Sequence, residues 1–348
     1  MAIAGFKTFV GTSFIGDEEG VAASDDAPIA RVRAAGAVIV GKTNMHEIGS
    51  GVTGFNQHYG TPTFGRVPPL SPDCPSVGHI GPIATSVRDA ALGFAVLSGA
   101  SDDGDVNFQQ PAVDLRSFDA SADLKGVKVG YFPEFANHSA PDVAAATAHA
   151  LDKLRQRGAE LVETRLGHLT AIHMAHSLTI SSEFAQNLDK YFSRFGELSP
   201  EVQVVLSFGR SFSAMDFLAA QRVRAFALRQ FREQVLSKAD VFVTPSTAIT
   251  APEIPPETLP NGIVNAQLMD DIMRFSWYGN MIGVPGVSVP AGTNAQGLPL
   301  AVQVQAAHWD EDLMLRVAHA VEQQHAAEQK KPQVYFDILA DAKKQSAE

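Results

Sequence analysis

The sequence is short of sulfur, of long apolar runs and of positive charge, and each shortage excludes something. Cys74 is the only cysteine in 348 residues, so no disulfide can close within the chain. That suits a reducing compartment. No apolar stretch approaches the roughly 18–20 residues that a membrane-crossing helix requires, so no membrane partner is expected. The opening residues Met1-Ala2-Ile3-Ala4-Gly5-Phe6-Lys7 lack the charged start and apolar run of an export signal, which points to the cytoplasm. Lys and Arg number 27 against 38 Asp and Glu, a formal net charge of −11. Binding to a phosphate backbone asks for the opposite balance, and no nucleic-acid partner is expected. Repeats and low-complexity segments are absent.

What is present is ordinary for a folded chain: 45% hydrophobic and 19% charged residues, with length enough for one large domain or two smaller ones. Residues 27–35 carry helical spacing around Ile29, Val32 and Arg33, and Gly36 follows where a helix end favours positive φ. Ala37-Val38-Ile39-Val40 is a short apolar run that predicts a buried strand. The same order recurs: a strand over 128–132, a helix capped by Asp142 and closed by Gly158, then a strand over 160–163. Strand–helix–strand units of this kind predict an α/β sheet covered by helices. Residues 102–124 are polar and aperiodic, a loop. Helix is expected from 200 to 239, with Phe212, Phe217, Val223, Phe226 and Phe231 in the core, and the proline-rich 244–260 cannot be a regular helix. A Gly/Pro-punctuated strand region over 277–299, a strand over 298–304 and an amphipathic helix over 310–324 complete the pattern.

Several blocks of residues resemble one family. Gly41-Lys42-Thr43-Asn44-Met45-His46-Glu47, Asn56-Gln57-His58-Tyr59-Gly60, Phe64-Gly65-Arg66-Val67 and the stretch from His79-Ile80-Gly81-Pro82 to Ala91 are similar to the amidase signature family. So are Ala239-Asp240-Val241-Phe242-Val243-Thr244-Pro245, Gly283-Val284-Pro285-Gly286 through Pro290, and Gly297-Leu298-Pro299-Leu300 through Gln303, all in the family's order. The resemblance implies an α/β fold with a mixed central sheet flanked by helices, and cleavage or transfer of amide C–N bonds. It implies no cofactor, a small amide substrate, and the possibility of a homo-oligomer. It also implies a mechanism: a Ser nucleophile, a bridging Ser and a neutral Lys that draws the proton away, with glycine N–H groups cradling the oxyanion.

The residues that would carry this mechanism are missing. Only Thr61-Pro62-Thr63-Phe64 stands where the family has its glycine- and serine-rich segment with both serines. The family's lysine precedes the block that Gly5 to Ser13 resembles; Lys7 lies on the wrong side of it, Lys42 belongs to another motif, and Gly78 replaces a family Asp. The expectation is one amidase-like domain over 1–330 with its sheet incomplete at a junction near 61–64, a polar tail over 331–348, and no catalytic residue. Without the segment, 38–40 should be poorly covered. The rivals are a relocated nucleophile (Ser13, Ser50, Ser71, Ser76, or Cys74 with His79 five residues on) and a binding or scaffold protein. His168, His173 and His176 are spaced for metal ligation but have no third acidic or Cys ligand, so no metal is expected. Glu183 with Arg222 and Arg224 suggests an ion-pair network on helices. Met45, Trp277 and Asn280 are the candidates for the surviving substrate surface.

Overall fold

The computed structural model describes residues 1–52, 54, 56–59, 76–99, 111–121, 123–258 and 263–325. Its helices are α1 (Ile15–Glu19), α2 (Ala27–Ala34), α3 (Val87–Leu97), α4 (Pro133–Ala136), α5 (Pro141–Gln156), α6 (Leu169–Asn187), α7 (Pro200–Arg210), α8 (Ala214–Phe231), α9 (Ala266–Met273), α10 (Trp277–Ile282) and α11 (Glu311–His325). The strands are β1 (Lys128–Tyr131), β2 (Glu160–Glu163), β3 (Val241–Pro245), β4 (Gly286–Thr293) and β5 (Pro299–Ala306), ordered β2-β1-β3-β5-β4. β1 runs parallel to β2 and β3, while β5 is antiparallel to both β3 and β4. The sheet is therefore mixed, and the α/β architecture read from the sequence is the one observed.

Alternation along β3 divides the interior. Val241 and Val243 point into a core with Val129, Leu154, Val302, Val304, Val317 and Val321, which brings α5 and α11 onto one face. Phe242 points the other way, into a core with Phe231, Phe275, Trp277 and Met281 from α8 to α10 and with Ile172 of α6. A third core joins Phe14, Ile48 and Val77 to Phe184, Leu188, Val202 and Leu206, so the N-terminal region packs on α6 and α7. α6 contributes to the second and third cores alike.

Helix starts follow their side chains. Ser199 accepts from the Val202 N–H at the start of α7, where Pro200 occupies the first turn, and Ser213 and Asp216 form a reciprocal capping box on α8. Gly36 and Gly158 take φ of +87° and +95°, as their places after helices demand. Three expectations need correction. Asp142 does not cap α5: Ala140 is the N-cap and Asp142 lies inside the first turn, because Pro141 takes the first helical position. Region 277–299 opens with helix α10, and its strand begins only at Gly286. Residues 37–40 form no strand among the described residues, and Val38 and Val40 are 85% and 96% exposed. A β-branched run adopts a strand only where a neighbour completes its hydrogen bonds, and none of the five strands pairs with it. The expected poor cover of this run is what the structure shows. Phe212 is half-buried rather than fully buried, whereas Phe231 is fully enclosed. The expected tail, 331–348, lies outside the described residues, as do 326–330.

α6 and α7 approach closely at Gly209, where an added methyl would overlap the Ser181 carbonyl, with the carbonyl carbon 2.7 Å away. The obstacle is backbone and cannot rotate aside. Gly209→Ala is expected to cost about 3 kcal/mol in urea unfolding followed by circular dichroism, as overpacking does; a change under roughly 0.5 kcal/mol would show that the helices can part freely.

Candidate functional site

Three helices converge on the point where residues 76–77 enter the fold. α6 presents His173, His176 and Glu183 at steps of three and seven residues, hence along one face. α10 supplies Trp277 and Asn280, also three apart, and α8 supplies Arg224. The structure thus brings together two of the three expected surface residues.

Asn280 ties the centre. Its Oδ1 lies 2.7 Å from His176 Nε2, and its Nδ2 donates to the Val77 carbonyl at 2.6 Å. With the amide nitrogen committed to a carbonyl, Oδ1 faces the imidazole, so His176 must donate from Nε2. Burial pushes the His176 pKa down to about 4; the bond to Asn280 opposes this, and the charges of His173 and Arg224 add to it. His176 is therefore neutral at pH 7. His173 stacks on Trp277, with ring centroids 4.9 Å apart and planes at 12°, and its Nδ1 stands 3.4 Å from Asp270 Oδ1. Desolvation lowers its pKa as well, against the pull of Asp270. The Trp277 indole N–H is buried and has no hydrogen-bond partner among the described residues.

Ser76 is held from both sides. Its N–H donates to Glu183 Oε2 at 3.0 Å and its hydroxyl bonds Glu183 Oε1. Arg224 Nη1 donates to Ser76 Oγ at 2.9 Å and Nη2 to its carbonyl at 2.8 Å. The expected network of Glu183 with Arg222 and Arg224 is corrected accordingly: Glu183 and Arg224 meet through Ser76, while Arg222 is exposed. Chemically this is an anchor. A carboxylate alone is a weak base toward a serine proton, and no histidine or lysine nitrogen bonds Ser76 Oγ among the described residues.

Met45 belongs elsewhere. Its carbonyl accepts from Asn56 Nδ2 at 2.9 Å, beside a second buried polar centre. There His58 Nε2 sits 2.8 Å from Glu47 Oε1, the Ser199 N–H donates to Glu47 Oε2 at 2.7 Å, and His46 Nε2 lies 3.2 Å from Glu201 Oε2. His46, Glu47 and His58 are thereby joined to the start of α7. Lys42 donates to Thr8 Oγ1 at 2.8 Å, its pKa lowered by desolvation, and Lys7 pairs with Asp17 at 2.7 Å; neither reaches a serine hydroxyl. Ser50 Oγ donates to the Glu47 carbonyl at 3.0 Å, and Ser13 is exposed. His79 is exposed, with Nδ1 3.3 Å from the Val77 carbonyl. Ser71 and Cys74 lie outside the described residues. His168 turns away from His173 and His176, edge-on to Phe226 at 5.6 Å, and no cluster of three potential metal ligands occurs among the described residues.

Sequence reasoning missed the two His–carboxylate contacts and the tie from Asp270 to His173. His46-Glu47 gave one signal, adjacent ionisable residues beside a hydrophobic Ile48, but their partners Glu201 and His58 are set by tertiary packing.

The family model described as Amidase matches residues 1–63 and 61–315, two segments that meet at 61–63. A fatty acid amide hydrolase of Medicago truncatula is 32% identical over 372 aligned positions, covering 89% of this chain and 61% of that protein. The fatty acid amide hydrolase of Arabidopsis thaliana is 30% identical over 390 positions, covering 94% and 64%. Both alignments are longer than the 348-residue chain, so both relatives carry residues inside the aligned region that have no counterpart here. The chain spans about three fifths of the length of these curated relatives. Among solved structures, a vestigial protein complex bearing on the origins of an s-triazine catabolic enzyme superposes with a TM-score of 0.81. It is 23% identical and covers 95% of this chain and 83% of that one, a likeness of fold.

The low pKa of His176 has a consequence for acid stability. Between its exposed value of 6.5 and about 4, the unfolded chain binds a proton that the folded chain refuses. Stability contributed here is present above the unfolded value and falls as acid is added, by on the order of 3 kcal/mol over the window. His176→Gln is expected to make the acid limb of the urea midpoint shallower between pH 6.5 and pH 4. Equal slopes in the two proteins would contradict the assignment.

Proposed function

The chain belongs to the amidase family, and from that premise we propose that it is a member whose ancestral reaction, amide C–N hydrolysis, it no longer performs. The observation that carries this reading is the break at 61–63. The family match parts there, and relatives at 32% and 30% identity contain additional residues within alignments of 372 and 390 positions. It coincides with the place where the sequence lacks a glycine- and serine-rich segment. The described side chains support the same reading. Lysine ammonium groups reach Thr8, Asp17, Glu19 and Gln234 but no serine hydroxyl, and Ser76 is consumed by Glu183 and Arg224. Among the described residues no serine hydroxyl is paired with a histidine or lysine acceptor, so attack on an amide carbonyl has no starting point there.

The likeness to fatty acid amide hydrolases makes fatty-acid amides the substrates to assay first. Purified chain is expected to show no amide hydrolysis above a heat-denatured control and no labelling by a fluorophosphonate probe. Turnover or labelling that disappears in Ser76→Ala would overturn the reading in favour of a relocated nucleophile.

A second reading, amide binding without hydrolysis, has one observation in its favour: the buried Trp277 N–H lacks a partner among the described residues, and its ring lies against His173. Asn280 spends both ends of its amide on His176 and Val77, which leaves Trp277 as a donor still available among the described residues. Under this reading short amides raise the thermal unfolding midpoint of the chain but not of Trp277→Phe; equal shifts, or none, dispose of it.

A further inference from the structure

Two stretches of backbone stand open at their edges. Val38, Ile39 and Val40 make no backbone hydrogen bond among the described residues, and Val38 and Val40 are almost wholly exposed. β4 is the last strand of the sheet. The Ala306 N–H donates to the Pro285 carbonyl at 3.3 Å, so by antiparallel alternation Val287 and Val289 turn their backbone groups to β5. The N–H and C=O groups of Gly286 and Ser288 therefore point to the free edge, and Pro290, which has no N–H, takes the next outward place. Exposed edges are ordinarily blunted with charge. Neither 37–40 nor Gly286–Thr293 holds a charged residue, in a chain of which 19% is charged. Pro290 and the register shift between Pro290 and Thr293 blunt only the far end of β4.

Helix α3 joins the two places. It packs on α2, whose end leads into 37–40, and its Val87 and Ala91 share the first core with Val289 and Ala291 of β4. Pro82 sits against Gly93 of α3, 2.9 Å from where a Cβ would stand, which sets Ile80 and Ile83 beside the same helix. Ile80, Ile83 and Leu92 of α3 are 38%, 48% and 66% exposed. Apolar side chains gathered around an open edge mark a contact surface.

The occupant follows from what the relatives carry and this chain lacks. The family match parts at 61–63, which lies in the sequence between the 37–40 run and Ile80. Alignments of 372 and 390 positions cover only 89% and 94% of the 348 residues, so those relatives hold several tens of residues more. A segment inserted at that point would leave and re-enter the fold between the two parts of the exposed surface. A second copy of the chain fits less well. Each copy carries a net charge of −11, so two repel. A symmetric β4–β4 pair about Ser288 also sets each Pro290 opposite a Gly286 carbonyl with no N–H to give.

We propose that this surface binds, as a separate polypeptide, the segment that the relatives carry at 61–63, with extended backbone pairing along 38–40 and along the Gly286–Ser288 edge, and with Ile80, Ile83 and Leu92 covered. The proposal rests on the reading that the segment is lost from this chain. The test mixes the full chain with the stretch of the Medicago truncatula relative that has no counterpart here. Binding is read by calorimetry and by amide hydrogen exchange, neither of which uses a substrate. Exchange at Val38, Ile39, Val40, Gly286 and Ser288 is expected to slow by about a hundredfold, while that at Val241 and Val243 stays the same. The double variant Val38→Asp, Val40→Asp is expected to bind about tenfold more weakly. Both positions are exposed, so its circular dichroism should match the parent. No binding, binding without protection of 38–40, or equal affinity of the double variant would overturn the proposal. So would a dimer in light scattering that the double variant dissociates, which would assign the surface to a second copy. Amide hydrolysis by the chain alone would sink the loss of activity without touching these readouts, so the two claims fail separately.

Discussion

The tie between residues 76–77 and α6 holds the third core to the sheet. Val77 is fully enclosed among Ile48, Phe184 and Leu188, and its carbonyl is taken by Asn280 of α10. One residue earlier, Ser76 gives its N–H to Glu183 and its carbonyl to Arg224, so α6, α8 and α10 all grip the same dipeptide. Each backbone group satisfied here would otherwise cost about 1–3 kcal/mol on burial. Because α6 also carries Ile172 into the second core, displacement of the dipeptide would disturb the packing beneath the sheet.

Electrostatics does comparable work at the other end of the third core. His46, Glu47 and Glu201 are almost wholly buried, and their contacts link a segment near the N-terminus to the start of α7. Buried ionisable groups are tolerated only with partners, and removing one partner leaves the other stranded at a cost of several kcal/mol. This explains how His46, Glu47 and His58 are positioned although 37–40, shortly upstream, have no strand neighbour among the described residues. Position is set by polar pairing where sheet hydrogen bonding does not reach.

How much was legible follows from range. Short-range signals survived: the strands at 128 and 160, the helix between them, Gly158 at its end and the long helices beyond Pro200 are all present. Collinear motifs carried the α/β class and the family, because order along a chain encodes topology. What failed needed partners distant in sequence. Val38 and Val40 read as a strand by composition, yet no composition reveals whether a neighbour exists. Trp277 and Asn280 proved adjacent because a helix joins them, while Met45 joined Asn56 instead, a contact no periodicity predicts. Glu183 and Arg224 form no ion pair with each other among the described residues, and Ser76, which both hold, was invisible until the fold brought position 76 to both.

The chemistry of the central cluster is that of an anchor. A nucleophile and its base need mismatched demands, with a proton poised to leave one atom for another. Around Ser76 and Asn280 most demands are matched: carboxylate to N–H and hydroxyl, guanidinium to carbonyl, amide to carbonyl and imidazole. Burial keeps His176 uncharged, so it offers a donor to Asn280 rather than a proton to an exchanging group. Networks satisfied to this degree rigidify a structure, and active sites are where sequences usually depart from such consistency. With the Trp277 N–H left without a partner among the described residues, the rest of the cluster is spent on holding chain segments together, which is a matter of fold and not by itself of function.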